Sequence, residues 1–169
     1  AEKKGCYVID NTSFFRMQKD IPLVIPEINP EQIGKSKRKI ISNPNCSTIQ
    51  MLVALYPIYK LSKINEIIVS TYQLVSGAGQ KAIDELKNQT LNILSKEKID
   101  IENFPKQIAF NVLPQIDLFL NNKYTKEEMK MVNETKKILD DNISVNATCV
   151  RVGTQVGHAE SIYIKLENN

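Results

Sequence analysis

The chain is poor in the residues that most often carry chemistry: one histidine, His158, and three cysteines, Cys6, Cys46 and Cys149, among 169 residues. With one imidazole, any histidine proton transfer near neutral pH falls to one side chain. An odd number of widely separated cysteines matches neither a paired-spacing zinc site nor a disulfide scaffold, so no metal is expected and a reducing compartment is. No strict G-x-G-x-x-G turn occurs, which argues against a pyrophosphate cradle of that type within these residues. No apolar run approaches the roughly 20 residues of a membrane-spanning helix. The 22 basic and 19 acidic residues leave a net charge of +3 without a basic stripe, which argues against a nucleic-acid partner. Internal repeats and low-complexity linkers are missing too, and Ala1-Glu2-Lys3-Lys4 has no hydrophobic targeting core. These absences predict a soluble, cytoplasmic, globular chain with one core, or one core and part of a second.

Short apolar runs bounded by glycine, proline and polar residues predict buried strands at Gly5 to Asp10, Pro22 to Pro26 and Lys39 to Ser42. The third leads through Asn43-Pro44-Asn45 to Cys46, after which apolar residues recur at helical spacing through Ile49, Leu52, Val53, Leu55 and Tyr56. A strand over Glu66 to Val75 ends at the turn Ser76-Gly77-Ala78-Gly79, and a helix follows from Gln80 to about Ser95. Phe110 to Phe119, broken by Pro114, is expected to be irregular or an edge strand. Thr125-Lys126-Glu127-Glu128 has the form of a capping box opening a helix. Strands near Ile143 to Val152 and Ser161 to Leu166 close the chain.

Cys46 stands where a helix N-terminus favours thiolate over thiol, because unpaired N–H groups and the helix dipole stabilise negative charge. Asn45 is placed to cap that helix, and the small residues Ser47 and Thr48 leave backbone N–H groups open to a developing oxyanion. Spacing alone favours a plainer interpretation, a small buried cysteine at a helix start.

Ser42-Asn43-Pro44-Asn45-Cys46-Ser47-Thr48 resembles the nucleophile signature of aspartate-semialdehyde dehydrogenases. Acylglutamyl-phosphate reductases usually have Gly before the cysteine and Tyr after it. The resemblance continues through Asp10-Asn11-Thr12-Ser13-Phe14-Phe15-Arg16-Met17, Ser70-Thr71-Tyr72-Gln73, Arg151-Val152 and Gly157-His158, in order along nearly the whole chain. It implies NADP-dependent reductive dephosphorylation of aspartyl phosphate to aspartate semialdehyde through a Cys46 thioester, within lysine, threonine and methionine biosynthesis. His158 would move the proton, against the plain alternative of a surface loop histidine. Arg151 would grip the substrate carboxylate with its planar fork rather than form a surface salt bridge. Glu127 would hold the substrate ammonium and Lys130 phosphate, although by spacing they read as a solvated i, i+3 pair. Arg16 and Asn45 match phosphate-binding positions, Gln73 would orient the substrate rather than simply be buried, and Ser76 and Gly77 would contact the nicotinamide end of NADP.

The resemblance implies an α/β to α+β fold. Residues 1–45 would be the remnant of a doubly wound NADP-binding domain, and 46–169 a mixed-sheet catalytic and dimerisation domain whose strands after Ile64 carry a homodimer or tetramer contact. The Gly-rich NADP turn and a C-terminal helix expected of the family lie outside these residues, which predicts a fragment, an excised domain or a split gene product with negligible NADP-dependent turnover alone. Gly153-Thr154 also replaces the family's usual Pro and aliphatic residue after Arg151-Val152. Two rivals stand beside the enzyme: a non-catalytic dimerisation module, and a related acyl-phosphate reductase such as N-acetyl-gamma-glutamyl-phosphate reductase.

Overall fold

The computed structural model describes residues 4–168. The fold is α/β, in the order β1 (Val8–Asp10), β2 (Ile40–Ser42), α1 (Cys46–Leu61), β3 (Ile64–Leu74), α2 (Gln80–Leu94), β4 (Val112–Leu113), α3 (Lys126–Ile138), β5 (Ser144–Val152) and β6 (His158–Leu166). Short 3-10 turns occupy Pro30–Lys35 and Val75–Ala78. The chain divides into two compact units: one holds the residues up to Val69, Met129–Ala147 and the residues from Ile162 on, and the other holds Ser70–Glu128 and Thr148–Ser161. Among the described residues no helix is long and apolar enough to cross a membrane.

In the first unit β1 and β2 pair in parallel, with Val8 opposite Ile40 and Asp10 opposite Ser42. The strand expected at Pro22 to Pro26 is reduced to one parallel bridge, Leu23 to Ser42. Pro22 and Pro26 bring no N–H to a ladder, and the Asn29 side chain accepts from Ile25 N–H and donates to Leu23 C=O. Backbone groups that would have extended the sheet are therefore satisfied by a side chain. β1 is likewise shorter than the run from Gly5, because Gly5 sits in the left-handed region at φ 77°. Helix α1 begins at Cys46 as expected, runs past Pro57 to Leu61, and buries Met51, Leu52 and Leu55.

β3 alternates as a half-buried strand should: Ile67, Val69, Thr71 and Gln73 are buried, while Ile68 and Tyr72 are exposed. It lies inside a four-stranded sheet of order β4-β5-β3-β6. The expected irregularity of Phe110 to Phe119 reduces to the two-residue edge strand β4, antiparallel to β5. β6 starts at His158, three residues earlier than the sequence suggested, and Gly157 at φ 105° makes the turn into it.

The second unit packs Val75, Ala82, Leu86, Ile108, Ala109 and Leu113 into one apolar cluster. Two α2 side chains stitch the following loop to it. Gln89 accepts from the N–H groups of Ile108 and Ala109, and Glu85 accepts from those of Glu102 and Asn103. The capping box at α3 is present: Thr125 N–H donates to Glu128 across 2.6 Å and Glu128 N–H to Thr125 Oγ1 across 3.3 Å.

Candidate active site

In the first unit Cys46 is the first residue of α1 and is exposed, so the plainer expectation of a small buried cysteine does not hold. Asn45 caps the helix, its side-chain oxygen accepting from Ser47 N–H at 3.0 Å and Thr48 N–H at 3.4 Å. Its own N–H donates to Glu134 Oε2 across 2.7 Å. The other oxygen of Glu134 accepts from Arg16 Nη1 at 3.0 Å, and Arg16 Nη2 donates to the Asn11 carbonyl at 3.1 Å. The Arg16 and Glu134 side chains are 10% and 2% exposed, so this is a buried ion pair, and Arg16 Nε is buried without a hydrogen-bond partner. Burial raises the Glu134 carboxyl above its ordinary range, offset only in part by Asn45 N–H and Arg16. Lys137, one turn further on α3, donates to the carbonyls of Arg16, Gln18 and Ile21, and burial lowers its ammonium pKa. Lys130 lies on the same helix, partly exposed.

In the second unit Gln73, 1% exposed, donates to Glu127 Oε1 at 3.0 Å and accepts from Thr71 Oγ1 at 3.0 Å. Glu127 is itself buried in the first turn of α3, which does not fit the solvated pair suggested by its spacing from Lys130. His158 is half-buried at the start of β6, with Nδ1 3.1 Å from Leu74 N–H and 2.6 Å from the Gly157 carbonyl. One nitrogen cannot accept from the first and donate to the second at once, so the two contacts belong to different protonation states. Arg151, 7% exposed, donates to the Leu74 carbonyl at 2.8 Å, which sets Arg151 and His158 against the same backbone residue. A Cβ on Gly77 would come within 3.2 Å of Arg151 Nη1 and 3.3 Å of His158 Nε2. Ser76 holds the turn by donating its N–H to the Gln155 carbonyl.

The second unit also contains an inert thiol. Burial, reinforced by the charges of Glu127, Glu128 and Glu160, pushes Cys149 up to about 12. Cys6 and Cys46 are both exposed, and of the two Cys46 stands at a capped helix N-terminus, so Cys46 is the nucleophile candidate. Sequence reasoning missed Glu134 and the backbone of Leu74. A carboxylate at 134 falls among the buried positions Met131, Thr135 and Ile138 of an amphipathic helix, and that misplaced charge was the available signal. A backbone contact such as that of Leu74 leaves no mark in a sequence.

The geometry can be set beside known proteins. Residues 55–169 match the family model described as semialdehyde dehydrogenase, dimerisation domain, and residues 1–36 match that described as semialdehyde dehydrogenase, NAD binding domain. Aspartate-semialdehyde dehydrogenase of Shewanella violacea is 59% identical over 167 residues, 98% of this chain and 49% of that protein. The Bacillus subtilis protein of the same name is 54% identical over 177 residues, 100% of this chain and 51% of its own length. The crystal structure of aspartate semialdehyde dehydrogenase II complexed with ASA from Vibrio cholerae superposes with a TM-score of 0.97 at 56% identity, covering 98% of this chain and 50% of that one. The chain thus spans about half the length of the relatives it matches. A motif-bearing thiol on a capped helix, the buried polar groups of β3, β5 and α3, and a family model matched over residues 55–169 lead to one conclusion: the chain belongs to the semialdehyde dehydrogenase family.

Proposed function

We propose that this chain supplies the acyl-transfer residues of an NADP-dependent aspartate-semialdehyde dehydrogenase, acting in amino-acid biosynthesis in the cytoplasm as a homodimer or tetramer. The observation that carries it is the exposed Cys46 at the capped start of α1. Residues 1–45 belong to the nucleotide-binding part and 46–169 to the catalytic and dimerisation part. The Cys46 thiolate attacks the carbonyl carbon of aspartyl phosphate; the C–S bond forms, the C–O bond to phosphorus breaks, and inorganic phosphate leaves. The Ser47 and Thr48 N–H groups, expected to be open, are taken by the Asn45 side chain, so the dipole of α1 rather than those two donors stabilises the oxyanion of that step. Arg16, Asn45 and Lys130 hold the phosphoryl group, while Arg151 and Glu127 take the carboxylate and ammonium of the amino acid, with Gln73 orienting it.

The Ser76-Gly77 turn is assigned to the nicotinamide end of the nucleotide by its resemblance to the family, and Gly77 lets it approach the side chains of Arg151 and His158, which a Cβ would meet at 3.2 to 3.3 Å. NADPH, when bound there, would supply the hydride that reduces the thioester carbon and would leave as NADP+. His158 then donates the Nε2 proton to the resulting oxygen and takes it back as the C–S bond breaks, releasing aldehyde and thiolate. Through both transfers Nδ1–H stays on the Gly157 carbonyl, which supports the protonated ring and the neutral ring with a bare Nε2 alike. The Leu74 N–H contact belongs to the other neutral tautomer, with the proton on Nε2.

The test needs no nucleotide. Aspartyl phosphate and N-acetyl-gamma-glutamyl phosphate are each mixed with the protein, and peptide mass spectrometry follows the three cysteines. The expected result is an aspartyl adduct on Cys46 alone, absent from Cys46→Ala. An adduct only from the acylglutamyl substrate would move the protein to the reductase class, and no adduct from either would leave the non-catalytic dimerisation module.

A further inference from the structure

Two side chains on α3 grip the segment that carries Arg16. Glu134 binds the guanidinium with one oxygen and the Asn45 N–H with the other, at 3.0 and 2.7 Å. Lys137, three residues on and so on the same face, spends its three donors on the carbonyls of Arg16, Gln18 and Ile21 at 2.6, 2.8 and 2.9 Å. The carboxylate therefore joins two points that bear on placing an anion near the thiol: the cation and the cap of the nucleophile's helix. A buried ion pair is a weak source of net stability, because desolvation offsets most of its attraction, so stability alone is a poor account of why both oxygens are used this way.

We propose that Glu134 is a positioning residue for the phosphate step, holding the Arg16 guanidinium in register with the N-cap of the Cys46 helix. This rests on the proposed phosphate role of Arg16. Both grips must hold at once. Glu134→Asp keeps the charge but is one methylene too short to span both donors. Glu134→Gln keeps the length but offers a single acceptor, and turns its NH2 toward the second donor. Each variant thus releases one grip by a different route.

The experiment measures how inorganic phosphate protects Cys46 from iodoacetamide in the intact protein, comparing the half-protecting concentration among Glu134→Asp, Glu134→Gln and Arg16→Gln. That concentration refers each variant to its own phosphate-free rate, so loss of stability alone does not move it. Positioning predicts a rise of about fivefold or more in both Glu134 variants, equivalent to about 1 kcal/mol. A purely electrostatic role predicts tighter phosphate binding in Glu134→Gln and no change in Glu134→Asp, and a purely structural role predicts lower melting temperatures with unchanged protection; either result overturns the proposal. Arg16→Gln separates the two levels. If it loses protection while the Glu134 variants keep it, Glu134 fails and the Arg16 assignment stands; if it keeps protection, or if the unmodified protein shows none, the Arg16 assignment fails and Glu134 with it.

Discussion

Gln73 and Glu127 are joined by an amide N–H donated to a carboxylate across 3.0 Å, with both side chains at most 6% exposed. The Gln73 oxygen is occupied from the other side by the Thr71 hydroxyl, so the amide has one orientation. Gln73→Ala removes a donor from a buried carboxylate and is expected to cost about 1 to 3 kcal/mol of stability. Gln73→Glu sets a second carboxylate against Glu127 and should cost more at pH 7 than at pH 4. Urea unfolding at the two pH values checks both, and equal stability of the Glu and Ala variants at pH 7 would contradict the pairing.

Asn45 meets two N–H groups of the first turn of α1 with one side-chain oxygen. Asn45→Ala should lower stability by about 1 kcal/mol, while Asn45→Ser, which keeps a capping oxygen, should stay within a few tenths. If the cap also orders the thiol, iodoacetamide should modify Cys46 more slowly in Asn45→Ala than in Asn45→Ser. Identical rates would show that the cap serves the helix and not the nucleophile.

Gly77 and Gly153 should respond differently to alanine. A Cβ at Gly153 would lie 2.5 Å from the Ile108 carbonyl oxygen, so backbone must move, and a loss of about 1 to 3 kcal/mol is expected. This close approach gives the glycine at position 153 a packing reason. A Cβ at Gly77 meets only the ends of Arg151 and His158 at 3.2 to 3.3 Å. Gly77→Ala should therefore keep its melting temperature within a few degrees while lowering kcat of the intact enzyme, and an unchanged kcat would remove Gly77 from the nicotinamide contact.

What the sequence made legible was whatever depends on neighbours along the chain. The Cys46 helix start, the Asn45 cap and the Thr125-Glu128 box all lie within a few residues of their partners and appear as expected. The strand at Pro22 to Pro26 was misjudged because the competing hydrogen bonds come from the Asn29 side chain, whose choice of a backbone partner leaves no periodic signal. Glu134 betrays itself only as a charge on a buried helix face, and what it binds was not legible for a related reason: its partners lie 89 and 118 residues away in sequence. His158 stands out in the sequence by its rarity and by the family motif, but its two Nδ1 neighbours are backbone groups that only the folded chain supplies.

Glu160, on β6, has both carboxylate oxygens buried without a hydrogen-bond partner, and burial raises its pKa from the ordinary 4.5 to about 7. The unfolded chain releases this proton near pH 4.5 and the folded chain near 7, so between those values the folded state binds more protons. Its contribution to stability is therefore full below about pH 4.5, falls as pH rises, and is lost above about 7, the reverse of a salt-bridged carboxylate. Glu160→Gln removes that titration. Its melting temperature should exceed that of the unmodified protein at pH 8 and match it closely at pH 5, with the gap opening between. Melting curves that run parallel across this range would show that Glu160 ionises at its ordinary pH and that the buried carboxylate is hydrated in solution.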